Sequence, residues 1–199
     1  MGTRRIVNFA IRRPCDRDHE PIREFLAGLS PRSRYLRFFT GAPSASEAMV
    51  RVLAGGGART DALVAVGDGV IIGHAMAADR GGPGGAVPTE IGVVVADAYQ
   101  GRGVGAALMR QLVGRARARG ATTMVMEVLA ENRQVLGMIA DHWQVMREER
   151  SGAYTTIWAP LPLDQWQEEP SLTGPATAAG PTDSRATALA GARLTRCLG

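Results

Sequence analysis

The sequence predicts a mixed α/β (α+β) domain followed by a flexible tail, and three observations lead to that prediction. An apolar content of 45% over 199 residues is enough to bury one ordinary core. Runs with the alternation of strands and runs with the spacing of helices follow one another along residues 1–163. Residues 164–199 are mostly Pro, Ala, Gly, Ser and Thr, a composition with too little apolar surface to order a chain.

The first third of the chain predicts one strand followed by helices. The run RIVNFAIR, residues 5–12, alternates apolar and polar side chains well enough for a strand. Asp16 is expected to cap the first helix. Further helix starts are predicted at Ser30, which precedes a proline, and at Ser44 or Ser46.

The middle of the chain predicts a hairpin, then a strand and a long helix. Gly67-Asp68-Gly69 joins two β-rich runs, which is a tight-turn pattern. After a loop rich in Gly and Pro, residues 89–95 (TEIGVVV) predict another strand, and residues 103–120 carry apolar side chains at helical spacing. The remaining predicted elements are a buried strand over residues 122–129, a helix capped by Asn132 and a hairpin around Ser151-Gly152.

Composition excludes several classes of function. All 23 basic residues are arginine, so a Walker phosphate loop, which needs a lysine, is absent from the sequence. The arginines are spread out and only 5% of residues are aromatic, which disfavours a nucleic-acid-binding surface. Cys15 and Cys197 have no partner at metal-ligand spacing, so we expect no metal. With no secretory or membrane-spanning run either, we expect a cytoplasmic protein with no membrane or nucleic-acid partner.

Three glycines in VVVADAYQGRGVGAALM precede the long helix and raise the question of what lies against them. Gly101-x-Gly103-x-x-Ala106 formally matches a dinucleotide fingerprint, but that motif follows the first strand directly, whereas several predicted strands precede this one. The other spacing is Gln100-x-x-Gly103-x-Gly105 at a helix start, where free amides and the helix dipole favour a pyrophosphate. A glycine-rich turn with no ligand is the alternative.

The stretch GVVVADAYQGRGVGAALM, followed by a strand and then LAENRQVLGMI, resembles the GNAT superfamily of acetyl-CoA-dependent N-acyltransferases. Q-x-x-G-x-G is the cofactor-binding motif of that family, and the predicted order of elements agrees from about Ile6 to Leu161. The stretches LAGLSPRSRYLRFF, TEIGVVVADAYQGRGVG and VLAENRQVL resemble more particularly the acetyltransferase domain of Pat-type bacterial protein lysine acetyltransferases. The resemblance implies a GNAT fold: a mixed, mostly antiparallel central sheet flanked by helices, with the fourth and fifth strands splayed apart.

The resemblance also implies where acetyl-CoA binds. The amides of the glycine loop and first helical turn, with Arg102, would hold the pyrophosphate, and the backbone of the TEIGVVV strand would pair with the pantetheine arm. Asn132 would reach the pantetheine or its waters, and a helix cap is its alternative role. The implied cofactor contacts are Val93, Val94, Val95, Gln100, Gly101, Arg102, Gly103, Val104, Gly105, Ala106 and Asn132.

Glu90 is the candidate general base. A lysine ε-amine has a pKa of about 10.4 and must lose a proton before it can attack a thioester. Glu90 lies in an otherwise apolar strand, on the face opposite Ile91, and the matching Glu is the base in Pat-type enzymes. A solvent-facing Glu is the alternative, and Glu127 in the next strand is the second choice of base. The amide of Val93 or Val94 would hold the oxyanion.

The sequence departs from the family pattern at the general acid. Many GNAT enzymes carry a Tyr in the helix after the Asn to protonate the departing thiolate, and here that position is Ile139. A thiolate with a pKa of about 8.5 can leave without much help, so the acid is in doubt but the activity is not. Arg32, Arg34 and Arg37 either receive an acidic patch of a protein substrate or form a solvated helix face; the sequence leaves both open.

These residues together predict an N-acetyltransferase that moves an acetyl group from acetyl-CoA to an amine by direct attack. The resemblance favours the ε-amine of a protein lysine, with an acyl-CoA synthetase as one candidate substrate. A small-molecule amine is the alternative acceptor, and a non-catalytic acyl-CoA-binding regulatory module is the alternative class. The oligomeric state, monomer or homodimer, is left open.

Overall fold

The computed structural model describes residues 8–39, 45–57, 59–81 and 87–161. The predicted tail, residues 164–199, and the glycine-rich loop at residues 82–86 lie outside the described residues, as does Ser44. In the described parts of the chain, no helix is long and apolar enough to cross a membrane.

Seven strands and five α-helices form the described domain. The strands are β1 (Ala10–Arg12), β2 (Thr60–Gly67), β3 (Val70–Asp79), β4 (Val87–Val95), β5 (Ala121–Leu129), β6 (Arg147–Ser151) and β7 (Tyr154–Pro160). The helices are α1 (His19–Gly28), α2 (Pro31–Phe38), α3 (Glu47–Leu53), α4 (Val104–Ala118) and α5 (Arg133–His142). Short 3-10 turns at Asp16–Asp18 and Asp97–Tyr99 precede α1 and the loop before α4.

The strands form one sheet in the order β1-β2-β3-β4-β5-β7-β6. Every neighbouring pair is antiparallel except β4 and β5, which are parallel. Pairing between β4 and β5 ends where Glu90 faces Val125, whereas β4 continues to Val95 with β3 as its partner. The predicted mostly antiparallel sheet with splayed fourth and fifth strands is confirmed, and the gap opens immediately after Glu90.

Helices cover both faces of the sheet. On one face, α4 and α5 pack on alternate side chains of β4 and β5, among them Ile91 and Met126. On the other face, α1, α2 and α3 pack on Met76 and Val94, and Glu90 lies on this face because it is two and four residues from Gly92 and Val94. The alternation of β4 therefore directs Glu90 toward the helices of the N-terminal third.

Local sequence patterns predicted most element ends. Asp68 and Gly69 both have positive φ, as a type I′ hairpin turn requires. The Ser30 and Ser46 hydroxyls accept the capping hydrogen bonds of α2 and α3. The cap at Asp16 was wrong: α1 begins at His19, and it is the Asp18 carboxylate that accepts bonds from the Cys15 amide and the Arg12 guanidinium.

His74 is a core residue that links β3 to the end of α3. Its side chain is buried, and its Nε2 donates to the Leu53 carbonyl oxygen at 2.8 Å. Burial lowers the pKa of His74 to about 4; the Leu53 hydrogen bond opposes that effect and the Arg37 charge adds to it. The imidazole is therefore neutral in the folded protein at physiological pH.

This depressed pKa predicts that stability falls in mild acid. Between pH of about 6.5 and about 4 the unfolded chain binds a proton at His74 that the folded protein rejects, so stability is full above about 6.5 and is lost as pH falls. From pH 7.5 to 5 we expect His74 to contribute a loss of about 2 kcal/mol. Urea unfolding at the two pH values measures it. In His74→Gln, which can still donate to Leu53, this part of the loss should disappear; an unchanged pH dependence would contradict the assignment.

Candidate active site

A cleft of about 780 Å³ opens where β4 and β5 separate. Its walls are α2 on one side, the β4 strand and the start of α4 at the centre, and β5 with α5 on the other side. Ten of the predicted site residues line it: Glu90, Val93, Val94, Val95, Gln100, Gly101, Gly103, Gly105, Ala106 and Asn132. The structure thus brings the candidate base and the glycine motif to one cavity.

The glycine loop leaves open space at the start of α4. Gly101 and Gly103 have φ of +67° and +85°, a left-handed conformation that favours glycine, and a Cβ on either would meet no protein atom within 4 Å. The first helical bond runs from Ala107 N to the Gly103 carbonyl, so the amides of residues 104–106 have no partner within the helix. The exposed glycine backbone, the amides without a partner in the helix and the positive end of the helix dipole thus meet at one point. Such a point suits a pyrophosphate.

Gln100 holds the loop in place. Its Nε2 donates to the Val95 carbonyl oxygen at 3.0 Å and to Ser33 Oγ at 3.1 Å. Asp97 completes this network by accepting from Ser33 Oγ and from both the amide and hydroxyl of Ser30. Burial acts to raise the pKa of Asp97, but these hydrogen bonds outweigh it and hold that pKa below its ordinary value. The start of α2 is thereby tied to the loop before α4.

Two predicted cofactor residues do not line the cleft with their side chains. Val104 is 1% exposed and packs in the core, so only its amide is available to a ligand. Arg102 is exposed, with its guanidinium 5.7 Å from the centre of the Tyr99 ring.

Asn132 lines the cleft and also caps α5, since its Oδ1 accepts from the Val135 amide at 3.4 Å. The cap is present, and the cofactor role stays a prediction.

The register of β4 decides which of its backbone groups face the gap. Ala96 N donates to β3, and the Pro88 carbonyl accepts from Arg80 N, so the even-numbered residues of β4 turn their backbone groups toward β3. The amides of Val93 and Val95 consequently face the gap left by β5. Val94 N faces β3, so of the two predicted oxyanion donors the register favours Val93.

Glu90 is held by Arg80 at the point where the strands separate. The Glu90 side chain is 7% exposed, and its Oε2 accepts from Arg80 Nε at 2.9 Å and Nη2 at 2.6 Å. Arg80 Nη2 also donates to Oε1 of the buried Glu127 at 3.2 Å. Burial acts to lower the pKa of Arg80, but the hydrogen bonds and charges of the two carboxylates outweigh it and raise that pKa. One guanidinium therefore joins both candidate bases.

This arrangement corrects one alternative and adds a residue that the sequence did not suggest. Glu90 is not a solvent-facing residue of a strand edge, because the residue as a whole is only 5% exposed and lines the cleft. Arg80 was missed because it precedes a glycine-rich loop and belongs to no motif. A buried carboxylate needs a cation or donors near it, and that requirement is the only signal that could have pointed to an arginine.

Arg37 of α2 is a second arginine near Glu90 in the cleft. It extends from α2 to lie over Gly92 of β4, where a Cβ would collide with its guanidinium. Its Nε and Nη2 are buried and have no hydrogen-bond partner among the described residues. Burial lowers the pKa of Arg37 to about 10, and the charge of Glu90 opposes that effect.

The far wall of the cleft offers no tyrosine hydroxyl at the predicted acid position. Ile139 is 1% exposed and packs in the core beneath the cleft. His142, one turn later, also lines the cleft and donates from Nδ1 to the Met138 carbonyl oxygen at 2.9 Å. Within the described ranges, no three His, Cys, Asp or Glu side chains cluster as metal ligands.

Comparison with known proteins agrees with this geometry. The model of the acetyltransferase (GNAT) family matches residues 33–141. The chain is similar to the GNAT domain of S. lividans PAT, with 26% identity, a TM-score of 0.67 and coverage of 75% of this chain and 89% of that one. It is similar in fold to yncA of Salmonella typhimurium, solved with its cofactor acetyl-CoA, at 21% identity, a TM-score of 0.58 and coverage of 83% and 99%. No curated protein matches.

Proposed function

This chain belongs to the acetyltransferase (GNAT) family, and from that premise we propose that the amine it acetylates is the ε-amine of a protein lysine, with Glu90 as the general base. The family makes it an acetyl-CoA-dependent N-acetyltransferase. The resemblance of the sequence to Pat-type protein lysine acetyltransferases favours a protein acceptor, and the likeness to the GNAT domain of S. lividans PAT agrees with that resemblance. The observation that carries the proposal is the buried Glu90 carboxylate at the opening of the cleft.

Acetyl-CoA supplies the activated acetyl group as a thioester. The open backbone at Gly101 and Gly103, with the free amides at the start of α4, suits its pyrophosphate. The amides of Val93 and Val95 face the gap and would pair with the pantetheine arm as a neighbouring strand does. Val93 N–H would donate to the carbonyl oxygen that gains negative charge during attack.

Glu90 would accept the proton of the acceptor amine, directly or through a water. Oε2 is occupied by Arg80, and the described residues make no hydrogen bond to Oε1, which leaves that oxygen as the acceptor. Arg80 fixes the rotamer of the carboxylate and balances its charge in a poorly solvated place. Arg80 is thus a positioning residue in this proposal, acting through Glu90.

Two other functions remain to be separated from this one by experiment. A small-molecule acetyltransferase would use the same base with a small amine, and a non-catalytic acyl-CoA-binding module would need the glycines but not Glu90. Thioester consumption measured with a mixed panel of proteins and small amines separates all three. Turnover with protein acceptors and little with small amines is expected; turnover with small amines alone, or none with any acceptor, would overturn the proposal.

Replacing Arg80 is expected to lower turnover and to leave the KM for acetyl-CoA unchanged. Arg80→Met keeps most of the stem but removes the cation between two buried carboxylates, so we expect kcat to fall by roughly 10–100-fold through misplacement of Glu90. Arg80 does not line the cleft, so the KM for acetyl-CoA should stay near the wild-type value.

The control for this variant is Arg117→Met on α4, outside the cleft, for which we expect unchanged kcat and KM. Arg80→Lys should recover part of the rate, because it restores the charge without the two-pronged hydrogen bond. A lower rate in Arg80→Met that is accompanied by a raised KM for acetyl-CoA, or that Arg80→Lys does not recover, would indicate a structural role only. The cytoplasmic location stays a prediction, and the oligomeric state, monomer or homodimer, stays open.

A further inference from the structure

Arg37 is a cation in the cleft that the proposed chemistry does not use. Two of its guanidinium nitrogens, Nε and Nη2, are buried and have no hydrogen-bond partner among the described residues. A polar group shielded from water without a partner costs free energy, and a cation costs more than a neutral group. Such a group in a substrate cleft is satisfied most simply by an anion on the substrate.

Two carboxylates that line the cleft, Glu90 and Asp97, are already engaged. Glu90 Oε2 is bonded twice by Arg80, and Asp97 is bonded by Ser30 and Ser33. Glu90 acts on Arg37 through its charge and makes no hydrogen bond to it. Among the described residues, the charge of Glu90 and the Phe38 ring, whose centre is 5.0 Å from the guanidinium carbon, balance the Arg37 charge, but none offers an acceptor oxygen to its Nε or Nη2.

The shape of the cleft keeps the Arg37 guanidinium where it is. Gly92 of β4 leaves the space in which the guanidinium lies, on the same face of the strand as Glu90 two residues earlier. A group bound to Arg37 would accordingly lie close to the amine presented to Glu90. Arg32, exposed on the same helix, lines the outer part of the same wall, and the sequence of α2 contains no acidic residue.

From these contacts we infer that Arg37 makes this enzyme select an acceptor that carries a carboxylate close to the reacting amine. The inference rests on the proposed function, and for a protein acceptor it means an acidic residue beside the acetylated lysine. Of the three α2 arginines that the sequence left open, Arg37 is the specificity residue, Arg32 is an outer contact, and Arg34 does not line the cleft. A planar guanidinium that pairs with a carboxylate in a poorly solvated site discriminates strongly against the neutral amide.

The test uses lysine peptides that differ in one group. At saturating acetyl-CoA, kcat/KM is measured for peptides with Asp or Glu beside a single lysine and for the same peptides with Asn or Gln. We expect the acidic peptides to be favoured by roughly tenfold or more, the range of one charge-assisted hydrogen bond. Arg37→Gln should reduce that ratio to about one, because kcat/KM should fall for the acidic peptides and stay unchanged for the neutral ones. Arg37→Lys should keep part of the preference.

Arg34→Gln, on the same helix but outside the cleft, is the matched control and should keep the wild-type ratio. The rate with the neutral peptides reports whether Arg37→Gln remains folded and competent. A ratio near one in the wild type, or a preference that survives in Arg37→Gln, would overturn the inference while leaving lysine acetylation intact.

A second pair of acceptors distinguishes a protein from a small molecule as the source of the carboxylate. Nα-acetyl-lysine carries a free α-carboxylate, and Nα-acetyl-lysinamide does not. A preference for the former that depends on Arg37, with no peptide acetylated, would support the carboxylate site and overturn the protein-lysine proposal. Failure of every acceptor, charged or neutral, would overturn both.

Discussion

Glu90→Gln should retain acetyl-CoA affinity and lose turnover by roughly 10²–10⁴-fold, the usual contribution of a positioned base. Gln is nearly isosteric with Glu and can still accept a hydrogen bond from Arg80 through its carbonyl oxygen, so β4 and the cleft should survive. The proton acceptor alone is removed. The measurement is kcat against pH with a lysine-containing acceptor at saturating acetyl-CoA.

The pH profile separates a base from a structural residue. In Glu90→Gln the rate should rise with pH, because more of the free amine is then present without assistance, whereas the wild-type rate should level off once proton removal no longer limits it. Glu127→Gln is the matched control, since it shares the same Arg80 contact from the neighbouring strand, and we expect a much smaller loss. Equal turnover of Glu90→Gln and wild type from pH 6 to 9 would move the assignment to Glu127.

Gly103→Val should abolish measurable coenzyme A binding. Gly103 has φ of +85° at the N-terminus of α4, and the space beside it contains no protein atom within 4 Å. A branched side chain would occupy the position that suits the pyrophosphate and would also strain the left-handed backbone. Calorimetric titration with coenzyme A measures the loss directly.

A variant at a second glycine distinguishes the effect of backbone strain from the effect of a blocked binding site. Gly120 follows the other end of α4 with φ of +90° and equally open surroundings, but it does not line the cleft. Gly120→Val should therefore lose similar stability and keep its coenzyme A affinity. Unchanged affinity in Gly103→Val, or equal losses in both variants, would mean that the glycines serve the turn alone.

The sequence predicted those features of the site that are encoded locally. The glycine motif precedes a helix within a few residues, and the strand that carries Glu90 alternates its faces over a single short run. The place of the glycines at the start of α4 and the face of β4 on which Glu90 lies follow from such short-range patterns, whereas positive φ at Gly101 and Gly103 and the burial of Glu90 are findings of the structure. For the same reason the Ser-Pro start of α2 was predictable. The predicted cap at Asp16 was wrong because Asp16 itself lies in a 3-10 turn, Asp16–Asp18, whose Asp18 amide donates to the Cys15 carbonyl oxygen.

The partners of these residues could not be predicted, because they are distant along the chain. Gln100 looked like part of a binding motif, but its side chain reaches Ser33, which is 67 residues away. Arg80 joins carboxylates on two different strands, and the sequence gives no register between them. The position of Arg37 depends on how α2 packs over Gly92, which only the assembled sheet determines.

The most direct measurement of the central claim is the destination of the acetyl group. The full chain is incubated with isotope-labelled acetyl-CoA and a mixture of cellular proteins and small amines, and the products are identified by mass spectrometry. The account predicts label on the ε-nitrogen of lysines in a limited set of proteins with the wild type, and its loss with Glu90→Gln. Label confined to small amines, or the same protein labelling with Glu90→Gln, would contradict it.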